Sequence, residues 1–169
     1  RVTAKDRVLI VGAGPIGLAA AAILASRGMK FDITARYDHQ KMAAEKLGGG
    51  IEVKENYDVV VDAVGNTASI AESIMRCRPM GRIAFVGSLW ESATLDMGFC
   101  AKEIELIAAS TYRVGHPQGE FHEAGKALTE VSAISEALIS HRFPLEAVTD
   151  AFATASDRAS GAIKVVFDL

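Results

Sequence analysis

Three glycines near the start of the chain carry its most specific chemistry. Gly12, Gly14 and Gly17 have G-x-G-x-x-G spacing, directly after the apolar run Val8-Leu9-Ile10-Val11 and before the alanine-rich residues 18–22. Such a turn suits the pyrophosphate of a dinucleotide. Gly12 permits the sharp exit from a strand, Gly14 lets the backbone approach a phosphate with no Cβ in the way, and Gly17 lets the helix pack closely. The helix that follows directs unpaired N–H groups and its positive dipole end at the anion. Pro15 fits its first turn, where the missing N–H needs no partner. Glycine turns are common, so the motif depends on its surroundings.

Those surroundings alternate between strand-like and helix-like segments, which implies a parallel sheet covered on both faces. Strands are expected at residues 7–11, 31–35, 51–53, 57–64, 82–87, 104–110 and 162–167. Helices are expected at 15–27, 38–47, 67–78, 119–141 and 144–156, with Gly28 and 48–50 as breakers and Pro79-Met80-Gly81 as a turn. The fold class read from this order is α/β, a doubly wound parallel sheet of about six main strands with helices on both faces, in one domain spanning 1–169. In such sheets ligands lie beyond the carboxyl ends of the strands. Two further strands end in glycine followed by a small polar residue, Val64-Gly65-Asn66 and Val86-Gly87-Ser88. Glycines also end strands simply because turns need positive φ.

The end of the second strand chooses the cofactor. A site for NAD usually places Asp or Glu about 20 residues past the glycines, to bind the ribose 2′-hydroxyl. Here that position is Ala35, followed by Arg36 and Tyr37. Arg36 can pair bidentately with a 2′-phosphate that a carboxylate would repel, and Tyr37 or Arg36 can cover an adenine face. Asp32 lies within the strand, and Asp38 is placed as a helix N-cap. The expectation is NADP(H), with NAD the alternative.

Composition bounds the rest. The 169 residues are 50% apolar and 23% charged, which marks a globular chain able to bury a core. A net charge of −3 offers no basic stripe for nucleic acid and no polybasic membrane patch. No apolar stretch reaches the roughly 18 residues that a membrane span requires. Two cysteines, Cys77 and Cys100, make no disulfide framework, which fits a reducing cytoplasm. The chain starts at Arg1 and enters its first strand almost at once, as a piece excised from a larger protein would, and as N-terminal processing would also leave it. His39, His116, His122 and His141 are scattered and read as surface residues, and no Cys or His stands at metal-ligand spacing.

The segments VLIVGAGPIGLAAA, AAEKLGG, YDVVVDAVGN, GRIAFVGS, PLEAVTDAFATA and GAIKVVF resemble, in order, the nucleotide-binding domain of the medium-chain dehydrogenase/reductase superfamily. The nearest likeness is to its zinc-dependent alcohol dehydrogenase group, which includes sorbitol and threonine dehydrogenases. The resemblance implies that Gly12, Gly14, Pro15 and Ile16 form the pyrophosphate turn. It places Val64 and Gly65 beside the adenosine ribose. Val86, Gly87 and Ser88, with residues 109–111, border the nicotinamide, and Lys164 reaches the pyrophosphate or else points outward. It also implies a GroES-like domain, absent here, that holds the catalytic zinc and relays protons from an alcohol or carbonyl substrate. A homodimer through an edge strand, in residues 93–112, is implied too. An apolar face left by the absent domain is expected around Trp90, Phe99 and Phe143.

The leading expectation is therefore the NADP(H)-binding part of an alcohol dehydrogenase-like oxidoreductase with no catalytic residue of its own. A zinc-independent reductase of the same superfamily and a non-catalytic NAD(P)-sensing module remain alternatives. A methyltransferase using S-adenosylmethionine is disfavoured by Ala35-Arg36 and by the closing IKVV strand.

Overall fold

The computed structural model describes residues 2–89, 92–109, 117–157 and 159–168. Trp90, Ser110, Thr111 and His116, and so parts of the nicotinamide border and of the 93–112 segment, lie outside the described residues.

The order begins β1 (Val8–Val11), α1 (Pro15–Ser26), β2 (Phe31–Thr34), α2 (Asp38–Lys46), β3 (Tyr57–Asp62), α3 (Thr67–Arg76) and β4 (Cys77–Phe85). It continues with α4 (Met97–Ala101), β5 (Glu105–Ala108), α5 (Pro117–Glu130), α6 (Ala133–Leu138), β6 (Ile139–Pro144), a 3₁₀ turn (Leu145–Ala147), α7 (Val148–Ser156) and β7 (Lys164–Asp168). Five strands form one parallel sheet in the order β2-β1-β3-β4-β5. The chain doubles back across β1, so the switch point falls between β1 and β3, where the glycine turn emerges.

Strand alternation builds a core on each face. Val8 and Ile10 join Leu18, Ala21, Ala22, Ala43, Ala44, Ile134 and Ala137 on the side of α1, α2, α5 and α6. Leu9 and Val11 join Val60, Ile70, Ile74 and Ile83 on the side of α3. β1 is buried on both faces, as a central parallel strand must be. The small side chains of α1 let it lie close to the sheet. A Cβ on Gly17 would overlap the carbonyl oxygen of Gly12, so only glycine permits that approach.

The fold departs from the sequence expectation in several places. Residues 51–53 form no strand; a single parallel bridge, Asp32 to Gly50, is what remains beside β2. Three glycines at 48–50 offer no side chains to pack, and Ile51 and Glu52 are exposed, so an outermost strand gains little there. The expected turn at Pro79-Met80-Gly81 is a bulge inside β4. Tyr57 pairs with Cys77 and Val59 with Arg82, so residues 78–81 loop out, with Met80 at φ 56°. Arg78 donates to Asp58 at 2.6 Å across the bulge, and Lys102 Nζ donates to the carbonyls of Ile74, Met75 and Cys77, each at 2.8 Å. Cys77 therefore opens a strand rather than closing a helix, and Cys100 sits in α4.

The last corrections concern the carboxyl-terminal third. The expected helix over 119–141 breaks into α5 and α6, His141 lies in β6, and the helix expected over 144–156 starts only at Val148, because Pro144 closes β6 where it pairs with β7. The closing strand leaves the main sheet. β7 pairs in parallel with β6 as a separate two-stranded sheet, with α7 between them in sequence. Leu145, Val148 and Phe152 are exposed near this small sheet, as Phe121 and Leu128 are on α5, whereas Phe99 and Phe143 are half-buried. No helix among the described residues is long and apolar enough to cross a membrane.

One buried carboxylate fixes the carboxyl ends of the central strands. Asp62, fully buried at the end of β3, accepts the Val64 and Gly65 N–H groups on one oxygen, each at 2.9 Å. Ser73 donates to the other at 3.5 Å, and the Asp62 carbonyl accepts the N–H groups of Val86 and Gly87, each at 3.0 Å. Asp62→Ala leaves two N–H groups without their acceptor and is expected to cost about 2–4 kcal/mol. Asp62→Asn keeps an acceptor and is expected to cost less than half of that, read by urea denaturation. Equal stability of the alanine variant and the native protein would contradict this role.

At the opposite end of the sheet, buried Tyr57 donates to Asp32 at 2.6 Å and accepts the Lys54 N–H at 2.8 Å. Burial, reinforced by the bond to Asp32, pushes its phenol up to about 12. A phenol held protonated in the fold favours folding fully below pH 10, the value of a free tyrosine. That contribution is lost as pH rises from about 10 to about 12. Unfolding free energy is expected to fall across this window, and less steeply in Tyr57→Phe. Identical slopes would refute the assignment.

Candidate functional site

A cleft of about 710 Å³ opens at the carboxyl ends of β1, β2 and β3. Its floor is Val11-Gly12-Ala13-Gly14-Pro15, one wall is the turn from Thr34 to Gln40, and the other is Val64, Asn66, Ala68, Ser69 and Glu72. Gly12, at φ 96°, turns the chain out of β1, and its N–H donates to Thr34 Oγ1 at 2.9 Å, which ties the turn to the end of β2. A Cβ on Gly14 would meet no protein atom within 4 Å, because that residue faces the open cleft.

The cleft is electrostatically prepared for an anion. α1 begins at Pro15 with no side chain capping its N-terminus and no acidic residue in its first turn. Its free N–H groups and dipole therefore act on whatever occupies the space above Gly14. Beside it, Ala35 is half-buried and carries no charge, while the Arg36 side chain is exposed, with its guanidinium 5.5 Å from the centre of the Tyr37 ring. Tyr37 stacks on His39, with ring centres 5.5 Å apart and planes 8° from parallel. Gln40 Oε1 accepts the Arg36 and Tyr37 N–H groups at 3.2 and 3.4 Å, which pins this turn.

The nearby carboxylates are engaged elsewhere. Asp32 faces the other end of the sheet, where Tyr57 holds it. Asp38 is the first residue of α2 rather than its N-cap, which is Tyr37. Lys41 donates to Asp38 at 2.9 Å, and that bond, helped by the lysine charge, holds the exposed carboxyl below the usual carboxylate range.

The sequence-derived residues are only partly brought together. Gly12, Gly14, Pro15, Ala35, Arg36, Tyr37 and Val64 line the cleft, whereas Ile16 is 55% exposed and outside it. Gly65, Val86, Gly87 and Ser88 lie outside it too, and two of them have a packing role. A Cβ on Gly65 would come within 2.8 Å of the Ser88 carbonyl oxygen, and one on Gly87 within 2.7 Å of the Val64 carbonyl carbon. The two glycines let the ends of β3 and β4 touch. Lys164 is exposed at the start of β7, and it is Ala162, two residues earlier, that reaches the cleft.

Sequence reasoning missed Thr34, His39, Gln40, Asn66, Ser69 and Glu72 in the walls, and Asp62 behind them. The signal for Asp62 was a carboxylate inside the apolar run Val59–Val64, where only a bonded charge is tolerated. α3 is capped by Asn66; Asn66 Oδ1 accepts the Ser69 N–H at 2.9 Å and Ser69 Oγ accepts the Asn66 N–H at 3.0 Å. Among the described residues no three His, Cys, Asp or Glu side chains could hold a metal ion.

Comparison with known proteins places this arrangement. The chain is 27% identical over 169 residues to L-galactonate-5-dehydrogenase of Escherichia coli K12, covering 87% of this chain and 47% of that protein. It is 30% identical over 192 residues to sorbitol dehydrogenase of Arabidopsis thaliana, covering 98% and 50%. The fold superposes on alcohol dehydrogenase TADH from Thermus sp. ATN1 with a TM-score of 0.78 and 25% identity, over 95% of this chain and 50% of that one. The chain thus spans about half the length of the curated relatives it matches. Its residues 2–169 match the family described as glucose dehydrogenase C-terminus, and the chain belongs to that family, within the medium-chain dehydrogenase/reductase superfamily.

Proposed function

We propose that this chain is the NADP(H)-binding domain of an alcohol or polyol dehydrogenase-like oxidoreductase. The observation that carries the reading is the pairing of an uncapped helix N-terminus above Gly14 with Arg36 at the end of β2, where Ala35 stands in the place of a carboxylate. In this reading Gly12, Gly14 and Pro15 hold the pyrophosphate through backbone N–H groups, and Arg36 pairs with the 2′-phosphate. Tyr37 and Val64 enclose the adenosine. The carboxyl end of β4, with Val86, Gly87 and Ser88, continues towards the nicotinamide, and Ile16 and Lys164 lie at the margins. When bound, the nicotinamide supplies hydride transfer to or from an alcohol or carbonyl carbon. This chain binds and orients it.

The described residues supply no donor set for a catalytic zinc. Zinc ligands, proton relay and most of the substrate pocket belong, in this reading, to a GroES-like part, consistent with relatives about twice as long. The apolar side chains Leu145, Val148 and Phe152 offer that part a surface. The β5 edge, where Glu105, Leu106 and Ala108 are exposed, offers a second copy a strand to pair with, which supports a homodimer. Two free cysteines, one of them exposed, fit a cytoplasmic protein.

Titration of NADPH and NADH by calorimetry tests the reading. NADPH is expected to bind more tightly, and Arg36→Ala to weaken NADPH about tenfold or more while leaving NADH unchanged. Equal NADH affinity with a silent Arg36→Ala would overturn the NADP(H) assignment. Binding of S-adenosylmethionine, with neither nicotinamide dinucleotide bound, would overturn the whole reading.

A further inference from the structure

We infer that Glu72 reads the exocyclic amino group of adenine, making this cleft selective for the base of the dinucleotide as well as for its phosphates. The inference rests on the dinucleotide reading above. It starts from a charge that reading does not use. Glu72 is a half-buried carboxylate on the wall of a cleft otherwise suited to a polyanion, and no hydrogen bond or ion pair engages it among the described residues. Facing phosphates alone, it would weaken binding.

The two helices that reach the cleft are different at their N-termini. α1 is uncapped, with its N–H groups available to an anion. α3 is closed by its own residues, because Asn66 and Ser69 satisfy each other reciprocally. Phosphate groups therefore belong with α1 and Arg36, and an uncharged part of the ligand belongs along α3. On that helix Ala68, Ser69 and Glu72 form one face towards the cleft, spaced as helix neighbours, while Ile70, Ser73 and Ile74 are buried away from it. Across the cleft stands the flat pair Tyr37 and His39, a surface on which a purine can lie.

A carboxylate only accepts hydrogen bonds, so its partner must donate. The pyrophosphate and the 2′-phosphate offer no donor, and the ribose lies on the Ala35 and Arg36 side. The nicotinamide half, whose ribose hydroxyls and carboxamide also donate, runs towards the end of β4 in the dinucleotide reading, which leaves the adenine N6 amino group as the donor for the α3 wall. Replacing that amino group by a carbonyl, as in hypoxanthine, sets an acceptor against the carboxylate and removes the bond.

The test compares NADPH with its hypoxanthine analogue by direct binding. The protein is expected to hold NADPH about tenfold more tightly. Glu72→Ala, which suits a helix, is expected to bring the two within twofold. Glu72→Gln, whose amide can accept from adenine or donate to hypoxanthine, is expected to do the same and serves if the alanine variant misfolds. Equal affinity of the native protein for both bases, with NADPH binding still dependent on Arg36, would overturn this inference and leave the dinucleotide reading standing. A base preference that survives both substitutions would overturn it too. Failure of both dinucleotides to bind would bring down this inference and the dinucleotide reading together.

Discussion

The buried carboxylate of Asp62 is the interaction on which the cleft depends. Asp62 stands where β3 ends, fully buried, and its carboxylate and carbonyl together hold four backbone N–H groups at the ends of two adjacent strands. A charge so placed is expensive unless bonded, and it persists because the turn is wrapped around it. The bonded turn aims Val64 and Asn66 at the cleft and starts α3 at Thr67. It also brings the Gly65 and Gly87 backbones close enough that neither tolerates a Cβ. One side chain thus sets the wall opposite the Arg36 turn.

From that frame follows an unequal division of charge. The Gly12–Pro15 turn leaves α1 uncapped, so backbone dipoles and free N–H groups favour anions at one end of the cleft. Arg36 extends the positive character past the end of β2, and Lys41 draws Asp38 away from it. The α3 wall is self-capped and carries Glu72, a carboxylate with no partner among the described residues. A ligand with phosphates at one side and an amino-bearing base at the other matches both walls. Such a division asks nothing of bulk charge, which is mildly negative over the whole chain.

Much of this was legible in the sequence, because local rules govern those parts. Glycine spacing after a four-residue apolar run specifies the strand-turn-helix, and the place of Gly17 in that spacing already assigns it to helix packing. Ala35 followed by Arg36 reads the same way. The illegible parts depend on partners distant in sequence. Gly65 and Gly87 look like crevice-facing turns, yet each is needed by the other across two strand ends. Residues 51–53 have the composition of a strand but sit at an outer edge after three glycines, and only a bridge forms. The run around Pro144 looks like a helix entry, whereas β6 exists because β7 returns to pair with it. Glu72 looks like any solvated helix glutamate until the wall opposite it is known.

The central claim, that a dinucleotide lies across the open end of α1 between the β2 and β3 turns, is tested most directly by amide NMR of the chain titrated with NADPH. The account predicts shifts concentrated at Gly12, Gly14 and Ile16, at Ala35, Arg36 and Tyr37, and at Val64 and Asn66. Shifts that spare these amides and gather elsewhere, or no shifts at saturating NADPH, would contradict it.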